Sequence, residues 1–258
     1  MRHRPTLRPL DPAHLAVVHS LQAELGTSEA ITPTRWAALA PVQSTLARAL
    51  DVAHGPANAN EPFVLLQAAA SAEAEPLQGP RWWFHLLGLR HGAIHVVLTT
   101  PQGFFVAQRR SRNKDDAPGA LDVAVTGHIG TDAPLAAAWR EMQEEVGLGP
   151  ATSDTLPVIA GNELRLFDQH DVEILLRAEE NPPFIDRERH WLFAATLTAE
   201  GMAAIRFSDG EVSSLMLIGP DDLAEMAQRC MVGQRRVASE WDLAPGLMHT
   251  LPRWVRRS

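Results

Sequence analysis

An α/β fold preceded by a small, mainly helical lobe is predicted, and three observations predict it. A helix over the second half of residues 127–148 is punctuated at both ends. Apolar, β-branched and aromatic runs separated by turn residues stand before and after it, and residues 1–80 hold only alanine-rich helical stretches. With 258 residues, 45% of them hydrophobic and 21% charged, the chain is globular and long enough for one large or two small domains, not disordered or fibrous. The segmentation expected is 1–80 as the lobe, 81–232 as the α/β domain and 233–258 as a tail.

In the lobe, Asp11-Pro12 starts a helix whose Leu15, Val18, Leu21 (or Gln22) and Leu25 form one apolar stripe. Residues 34–40 and 42–52 read as further short helices, with Pro33 and Pro41 at their starts. From 54 to 80 the composition shifts to Ala, Pro, Glu and Asn around one apolar run, Phe63-Val64-Leu65-Leu66, expected as a strand or helical turn between loops. No motif here carries chemistry, and the lobe is expected to serve as a lid or dimerisation element, which leaves a homodimer open.

From Arg81, the run Trp82-Trp83-Phe84-His85-Leu86-Leu87 reads as an extended aromatic segment. Residues 93–98 and 104–108, joined by Pro101-Gln102-Gly103, read as a hairpin. The second strand runs into Arg109-Arg110-Ser111-Arg112-Asn113-Lys114. Four cations in six residues are either a solvated loop or an anion site, and arginine forks suit phosphate oxygens.

The stretch 127–148 reads GHIGTDAPLAAAWREMQEEVGL. Asp132 is expected to cap its helix, Pro134 suits the first turn, and Gly147 ends it in a left-handed conformation. At about 100° per residue, Leu135, Met142 and Val146 join Trp139 on a core side, while Glu141, Glu144 and Glu145 share an arc of about 100° opposite. Like-charged neighbours such as Glu141 and Glu145 repel by a few tenths of a kcal/mol. The face is either solvated or occupied by a hard divalent cation, Mg²⁺ or Mn²⁺, which takes oxygen ligands and bridges carboxylates to substrate phosphates.

Beyond it, 164–177 and 191–197 read as strands, and Phe207-Ser208-Asp209-Gly210-Glu211-Val212 leads into another at 214–218. Pro220-Asp221-Asp222 opens a helix through Met231 that holds Cys230 as a small core residue. The tail from 241, with Trp254 among Arg253, Arg256 and Arg257, reads as packing plus a solvated end.

A balance of 23 basic against 31 acidic residues, net −8, excludes broad attraction to nucleic acid or anionic membrane and leaves a small phosphorylated substrate held by local charges. One cysteine excludes an internal disulfide framework and fits a reducing compartment. The basic start MRHRPTLRPLDPAHL has no apolar run after it, and nowhere do 18 apolar residues follow one another. Neither a signal peptide nor a membrane span is therefore expected, and the location expected is cytoplasmic.

Residues 140–148 resemble the second half of the signature of the Nudix hydrolase family, G-x5-E-x7-R-E-U-x-E-E-x-G-U with U aliphatic, Met142 standing at one U position. The first half departs from it: Asp132 stands where the family has Glu, and Gly127 is one residue closer than the pattern asks. The resemblance implies an α/β/α sandwich with a mixed sheet. It further implies that Glu141, Glu144 and Glu145 hold Mg²⁺ or Mn²⁺, that Arg140 orients a glutamate, and that a diphosphate linked to another moiety is hydrolysed by an activated water.

Glu211 resembles a glutamate that reaches the metal or the water in many relatives; alternatively it is a turn residue. His128, His190 and Glu188 either line the same cleft or are surface or hydrogen-bonded groups. Residues 108–128, QRRSRNKDDAPGALDVAVTGH, are similar to the segment before the box in the branch like isopentenyl-diphosphate isomerases. There the arginine and lysine of R-S-x-x-K contact the diphosphate, which transfers to Arg110 and Lys114. The isomerase chemistry needs a cysteine on the strand before the box, where this chain has Asp122-Val123-Ala124-Val125-Thr126. The reading is a diphosphate hydrolase, with an isomerase of this branch and a non-catalytic ligand-binding module of the same fold as alternatives.

Overall fold

The computed structural model describes residues 7–25, 30–67, 75–114, 117–153, 155–176, 184–207, 210–232, 236–237 and 241–257. They fall into two units, Met1–Gly92 with Asp171–Arg189 and Ala93–His170 with His190–Ser258.

In the first unit, Asp11 accepts a hydrogen bond from the His14 amide at 2.9 Å and so caps α1 (Pro12–Leu25), which buries Val18, Leu21 and Leu25 as its stripe predicts. The next two helices, α2 (Pro33–Ala38) and α3 (Ala40–Ala49), begin at or beside their prolines. The run at Phe63 is a strand, β1 (Pro62–Val64), paired antiparallel with β2 (Gln78–Pro80). The aromatic segment expected to be extended is instead a helix, α4 (Arg81–Leu87), closed by Gly88 at φ 64. Trp82, Trp83, Phe84, His85, Leu86 and Leu87 are all buried, so the helix has no polar face to betray its period. It lies in one apolar core with Leu46, Leu50, Phe63 and Phe184.

β3 (His91–Thr99), which from Ala93 on belongs to the second unit, and β4 (Phe105–Arg110) form the expected hairpin, with Leu98 opposite Val106. Its turn closes from the Gly103 amide to the Thr100 carbonyl at 2.9 Å, Gly103 adopting φ 84. β5 (Leu121–Val123) pairs with β4, and after Ala124 the chain crosses to β3 as β6 (Val125–His128). The box helix α5 (Pro134–Val146) follows, ended by Gly147 at φ 73 with bonds back to Gln143 and Met142. Two expectations for it fail. Its N-cap is Ala133 with no side-chain bond, because Asp132 turns to Arg140, and Leu135 is 48% exposed because Ala137, Ala138, Met142 and Val146 fill the core side.

Two long strands come next, β7 (Arg165–Leu176) and β8 (Phe184–Thr196); Arg177, expected to end the first, lies outside the described residues. β8 begins well before the expected 191 because its inward positions include Asp186, Glu188 and His190, which conceal a strand from a search for apolar alternation. A short helix α6 (Ala199–Ala204), capped by Thr198, leads towards β9 (Val212–Ile218), which pairs with β4 from Phe105 to Arg110 across one bulge. Ser208 and Asp209, expected in the approach to that strand, lie outside the described residues. Helix α7 (Pro220–Met231) has the expected bounds and buries Cys230.

A small pair, β10 (Arg236–Val237) and β11 (Trp241–Asp242), precedes α8 (Pro245–Val255), a helix where only a packed tail was expected. Gly246 lets it settle, since a Cβ there would come 2.8 Å from Asp122 Oδ1 and 3.1 Å from His95 Cε1. The sheet runs β5-β4-β3-β8-β7, with β6 on β3 and β9 on β4. Met142 and Val146 of α5 pack on one face with Ile94, Val96 and Leu98, and Met226 and Leu247 of α7 and α8 pack on the other with Val97, Phe105 and Ala107. Truncating a fully buried side chain such as Met142 to Ala costs about 2–5 kcal/mol at positions of this kind.

Candidate active site

Two turns of α5 carry four charged side chains, and the sheet sorts them by depth. The Glu144 side chain is 52% exposed, that of Glu141 is 12% exposed, and Glu145 as a residue is 1% exposed. Arg140 ties the outer two together: Nη1 donates to Glu141 Oε1 at 2.7 Å and to Glu144 Oε2 at 3.2 Å. Its Nε donates to Asp132 Oδ2 at 2.9 Å and its Nη2 to the His128 carbonyl at 3.0 Å. The repulsion expected along this face is thus met in part by a guanidinium bonded to three carboxylates.

The Glu141 carboxylate lies against the backbone of β6, and a Cβ on Gly127 would sit 2.1 Å from Glu141 Cδ. A side chain of any size at position 127 would displace it. Glu145 turns inward instead. Its Oε2 accepts from the Thr126 amide at 3.1 Å and from Gln108 Nε2 at 3.2 Å, while Oε1 is buried and accepts no hydrogen bond among the described residues. Burial pushes Glu145 well above the ordinary carboxylate range; the Thr126 amide and Lys114 oppose that, and the charges of Glu141 and Glu211 add to it. A carboxylate so placed gains most from a cation at its bare oxygen.

The basic loop is folded against the strand that follows α6. The Ser111 amide donates to the Glu211 carbonyl at 2.7 Å, the Lys114 amide to the Ser111 carbonyl at 3.1 Å, and the Lys114 ammonium pairs with the Glu211 carboxylate. Arg110 Nη1 meets Asp122 Oδ2 at 3.1 Å, with side chains only 11% and 4% exposed. The structure therefore brings Glu141, Glu211 and Lys114 into electrostatic range of Glu145 and gives Arg110 a buried partner that the sequence did not suggest. Of the other candidates, His128 meets this site through its backbone, its carbonyl accepting from Arg140. The His190 ring centre lies 4.2 Å from that of His95, tilted, and 5.0 Å from that of His170, edge-on, and Glu188 is 3.6 Å from His91 Nε2.

Sequence reasoning missed Gln108, buried mid-strand where an apolar residue is ordinary. It also missed a group in the first unit: His85, His91 and Asp186 each offer a ligand atom within 4.8 Å of the others. His91 Nε2 lies 3.2 Å from Asp186 Oδ1, and its Nδ1 is within hydrogen-bond distance, 3.0 Å, of the Leu89 carbonyl, which orients the ring. Burial opposes charge on His91, but Asp186 and Glu188 more than offset it and hold it at about 9. Nitrogen and carboxylate ligands of this kind suit a transition-metal ion, which would have to displace that proton. The signal available was the pair of histidines six apart, hidden by reading the first as part of a strand.

No helix among the described residues is long and apolar enough to cross a membrane. In comparisons with known proteins, the chain is 40% identical over 82 residues to Nudix hydrolase 3 of Arabidopsis thaliana, covering 30% of this chain and 10% of that protein. It is 39% identical over 61 residues to the uncharacterized Nudix hydrolase YfcD of Escherichia coli K12, covering 23% of this chain and 34% of that protein. The chain thus spans about a tenth and a third of the lengths of these two relatives. Among solved structures, a MutT protein from Methanosarcina mazei overlaps 65% of this chain and 94% of its own at 15% identity and TM-score 0.43. The NUDIX domain of NrtR from Shewanella oneidensis, solved with ADP ribose, overlaps 64% and 86% at 13% identity and TM-score 0.37. The model of the NUDIX domain matches residues 89–241, more than half of the sequence, and the chain belongs to the Nudix family.

Proposed function

We propose that the protein is a hydrolase of a small organic diphosphate, of the nucleoside-diphosphate-linked kind or a related one, dependent on Mg²⁺ or Mn²⁺. The observation that carries this reading is the buried Oε1 of Glu145, which accepts no hydrogen bond among the described residues and stands in electrostatic range of Glu141 and Glu211. The donor set fits the ion: oxygen ligands alone, from Glu141, Glu144 and Glu145, are what a hard divalent cation takes. When bound, such an ion neutralises phosphate oxygens and lowers the pKa of water.

The chain's own groups supply the rest. Arg140 holds Glu141 and Glu144 in place through its Nη1 bonds. Lys114 binds a diphosphate oxygen by exchanging its bond to Glu211, and Glu211, released, is positioned to accept the proton of the attacking water. Arg110 lends positive charge to the same loop from its seat on Asp122.

An isomerase of an isoprenoid diphosphate needs a thiol beside the box, and Cys230 is buried in α7 with burial pushing its thiol up to about 11. A panel of nucleoside diphosphate-linked compounds, dinucleotides, triphosphates and isoprenoid diphosphates, incubated with Mg²⁺ in H₂¹⁸O, tests the reading. One ¹⁸O is expected in a phosphate product. Deuterium uptake into an isoprenoid carbon, abolished by Cys230→Ser, would establish the isomerase instead. Ligand binding with neither label moving would make the protein a binding module.

A further inference from the structure

We infer that Gln108 is a positioning residue that fixes the orientation of the Glu145 carboxylate so that one oxygen faces the cation, given the reading of Glu141, Glu144 and Glu145 as the metal-binding triad. Gln108 lies in β4, a strand paired with β9 along one edge and with β3 and β5 along the other, and it is 1% exposed. Nothing about strand formation calls for an amide there, since Val106 and Ala107 beside it are fully buried and apolar. An amide buried without a partner costs about 1–3 kcal/mol, so its presence is explained by what it bonds.

What it bonds is one oxygen of one glutamate. Gln108 Nε2 donates to Glu145 Oε2 at 3.2 Å, and the Thr126 amide donates to that same oxygen at 3.1 Å. Glu145 Oε1, equally buried, receives nothing among the described residues, and neither does Gln108 Oε1. Two donors converging on Oε2 make the two carboxylate oxygens inequivalent. Rotating the carboxylate out of this plane would sacrifice both bonds in a buried place, while a half-turn only exchanges two chemically identical oxygens, so one oxygen is always bonded and the other offered at the same point. The Thr126 donor is backbone and is present for any residue but proline at position 126. The donor that this sequence adds is Gln108, and it comes from a different strand, β4 against β6, so that two strands grip the carboxylate from two directions.

A role confined to packing and a role in holding the ligand oxygen make different predictions. Gln108→Met keeps the length of the side chain and removes the donor; Gln108→Asn keeps the amide and withdraws it from Oε2. Binding of Mn²⁺ alone to the metal-free protein is measured by titration calorimetry, and folding of the same samples by circular dichroism and thermal melting. Both variants are expected to melt within a few degrees of the native protein and to bind Mn²⁺ about 10–100-fold more weakly, the range seen when an outer partner of a ligand is lost. Native-like Mn²⁺ affinity in folded Gln108→Met, with Glu144→Gln still abolishing it, would overturn the positioning role and leave the triad standing. Absence of Mn²⁺ binding to the native protein would remove the triad and this role together. Failure of both variants to fold would make Gln108 a packing residue and overturn the inference.

Discussion

Replacing Arg110 by alanine is expected to unfold the second unit more readily before it reveals anything about substrate. The Arg110 and Asp122 side chains are 11% and 4% exposed and 3.1 Å apart. At that distance the attraction is about 5 kcal/mol for an effective dielectric constant of about 20. Losing one partner of such a buried pair costs about 3–5 kcal/mol, because the remaining charge has no water to turn to. Asp122 Oδ1 keeps its bond from the Val123 amide at 2.9 Å, which trims the loss, so about 3 kcal/mol is expected for Arg110→Ala at neutral pH. The double variant Arg110→Ala, Asp122→Ala removes the buried carboxylate as well, and at least half of the loss should return. Urea denaturation followed by tryptophan fluorescence of the native, single and double variants measures this. A single variant within 1 kcal/mol of the native protein, or a double variant no more stable than Arg110→Ala, would refute the reasoning.

Lys114→Ala is the cleaner probe of the basic loop: its partner Glu211 is 44% exposed and can turn to solvent, so stability should change by about 1 kcal/mol or less while kcat/KM falls at least tenfold, and unchanged kinetics would return the loop to mere solvation. Glu144→Gln should keep the helix, glutamine being a good helix former, and lower turnover by orders of magnitude; retained Mg²⁺-dependent turnover would sink the metal assignment. Millimolar Mg²⁺ or Mn²⁺ should raise the melting temperature, by about 2.7 kcal/mol of stabilisation at a hundredfold excess over Kd, and a flat response would favour a merely solvated acidic face. His170 should govern part of the acid limb of stability. Burial first, then the charges of His190, Arg253 and His249, push it down to about 3 against the opposing Asp168, so the folded state holds it neutral. Unfolded chains take up that proton near 6.5, so its contribution is complete above that pH and is lost as pH falls from about 6.5 towards 3. His170→Leu should flatten that limb in urea midpoints measured from pH 7.5 to 5, and parallel limbs would contradict it.

The elements legible in the sequence are those whose punctuation and period agree. Helix α7 has proline at its first position, two aspartates in its first turn and a buried stripe of Leu223, Met226, Ala227 and Cys230, and its bounds follow. Those that escaped violate one cue for a reason of packing. Helix α4 is buried on every side and so shows no stripe, and the inward row of β8 includes Asp186, Glu188 and His190. Helix α8 contains Gly246 and Pro252, two residues that ordinarily disfavour a helix interior, in a stretch expected only as a packed tail. The glycine is needed for close approach to Asp122 and His95, and the proline ends up buried in the last turns of the helix. In each case a tertiary requirement outweighs the local rule.

For the site, helical spacing foretold which residues share a direction and was silent about depth. Glu141, Glu144 and Glu145 do lie along one side of α5, yet their exposures run from half open to wholly closed, because how near β4 and β6 come is a property of the sheet and not of the helix. Two residues set that approach. Gly127, which stands one place off the family pattern relative to Asp132, has no Cβ to fend off Glu141, and its service to Glu141 gives a physical reason for a glycine at that place. Gln108 reaches Glu145 from a strand 37 residues earlier, a separation at which no spacing rule operates. The acidic cluster is thus three carboxylates in three settings: Glu144 faces solvent beside Arg140, Glu141 lies against a glycine, and Glu145 is held by an amide and a glutamine with one oxygen left bare. Glu145 departs furthest from what a solvated helix face would show, and it is the residue on which the proposed metal site chiefly rests.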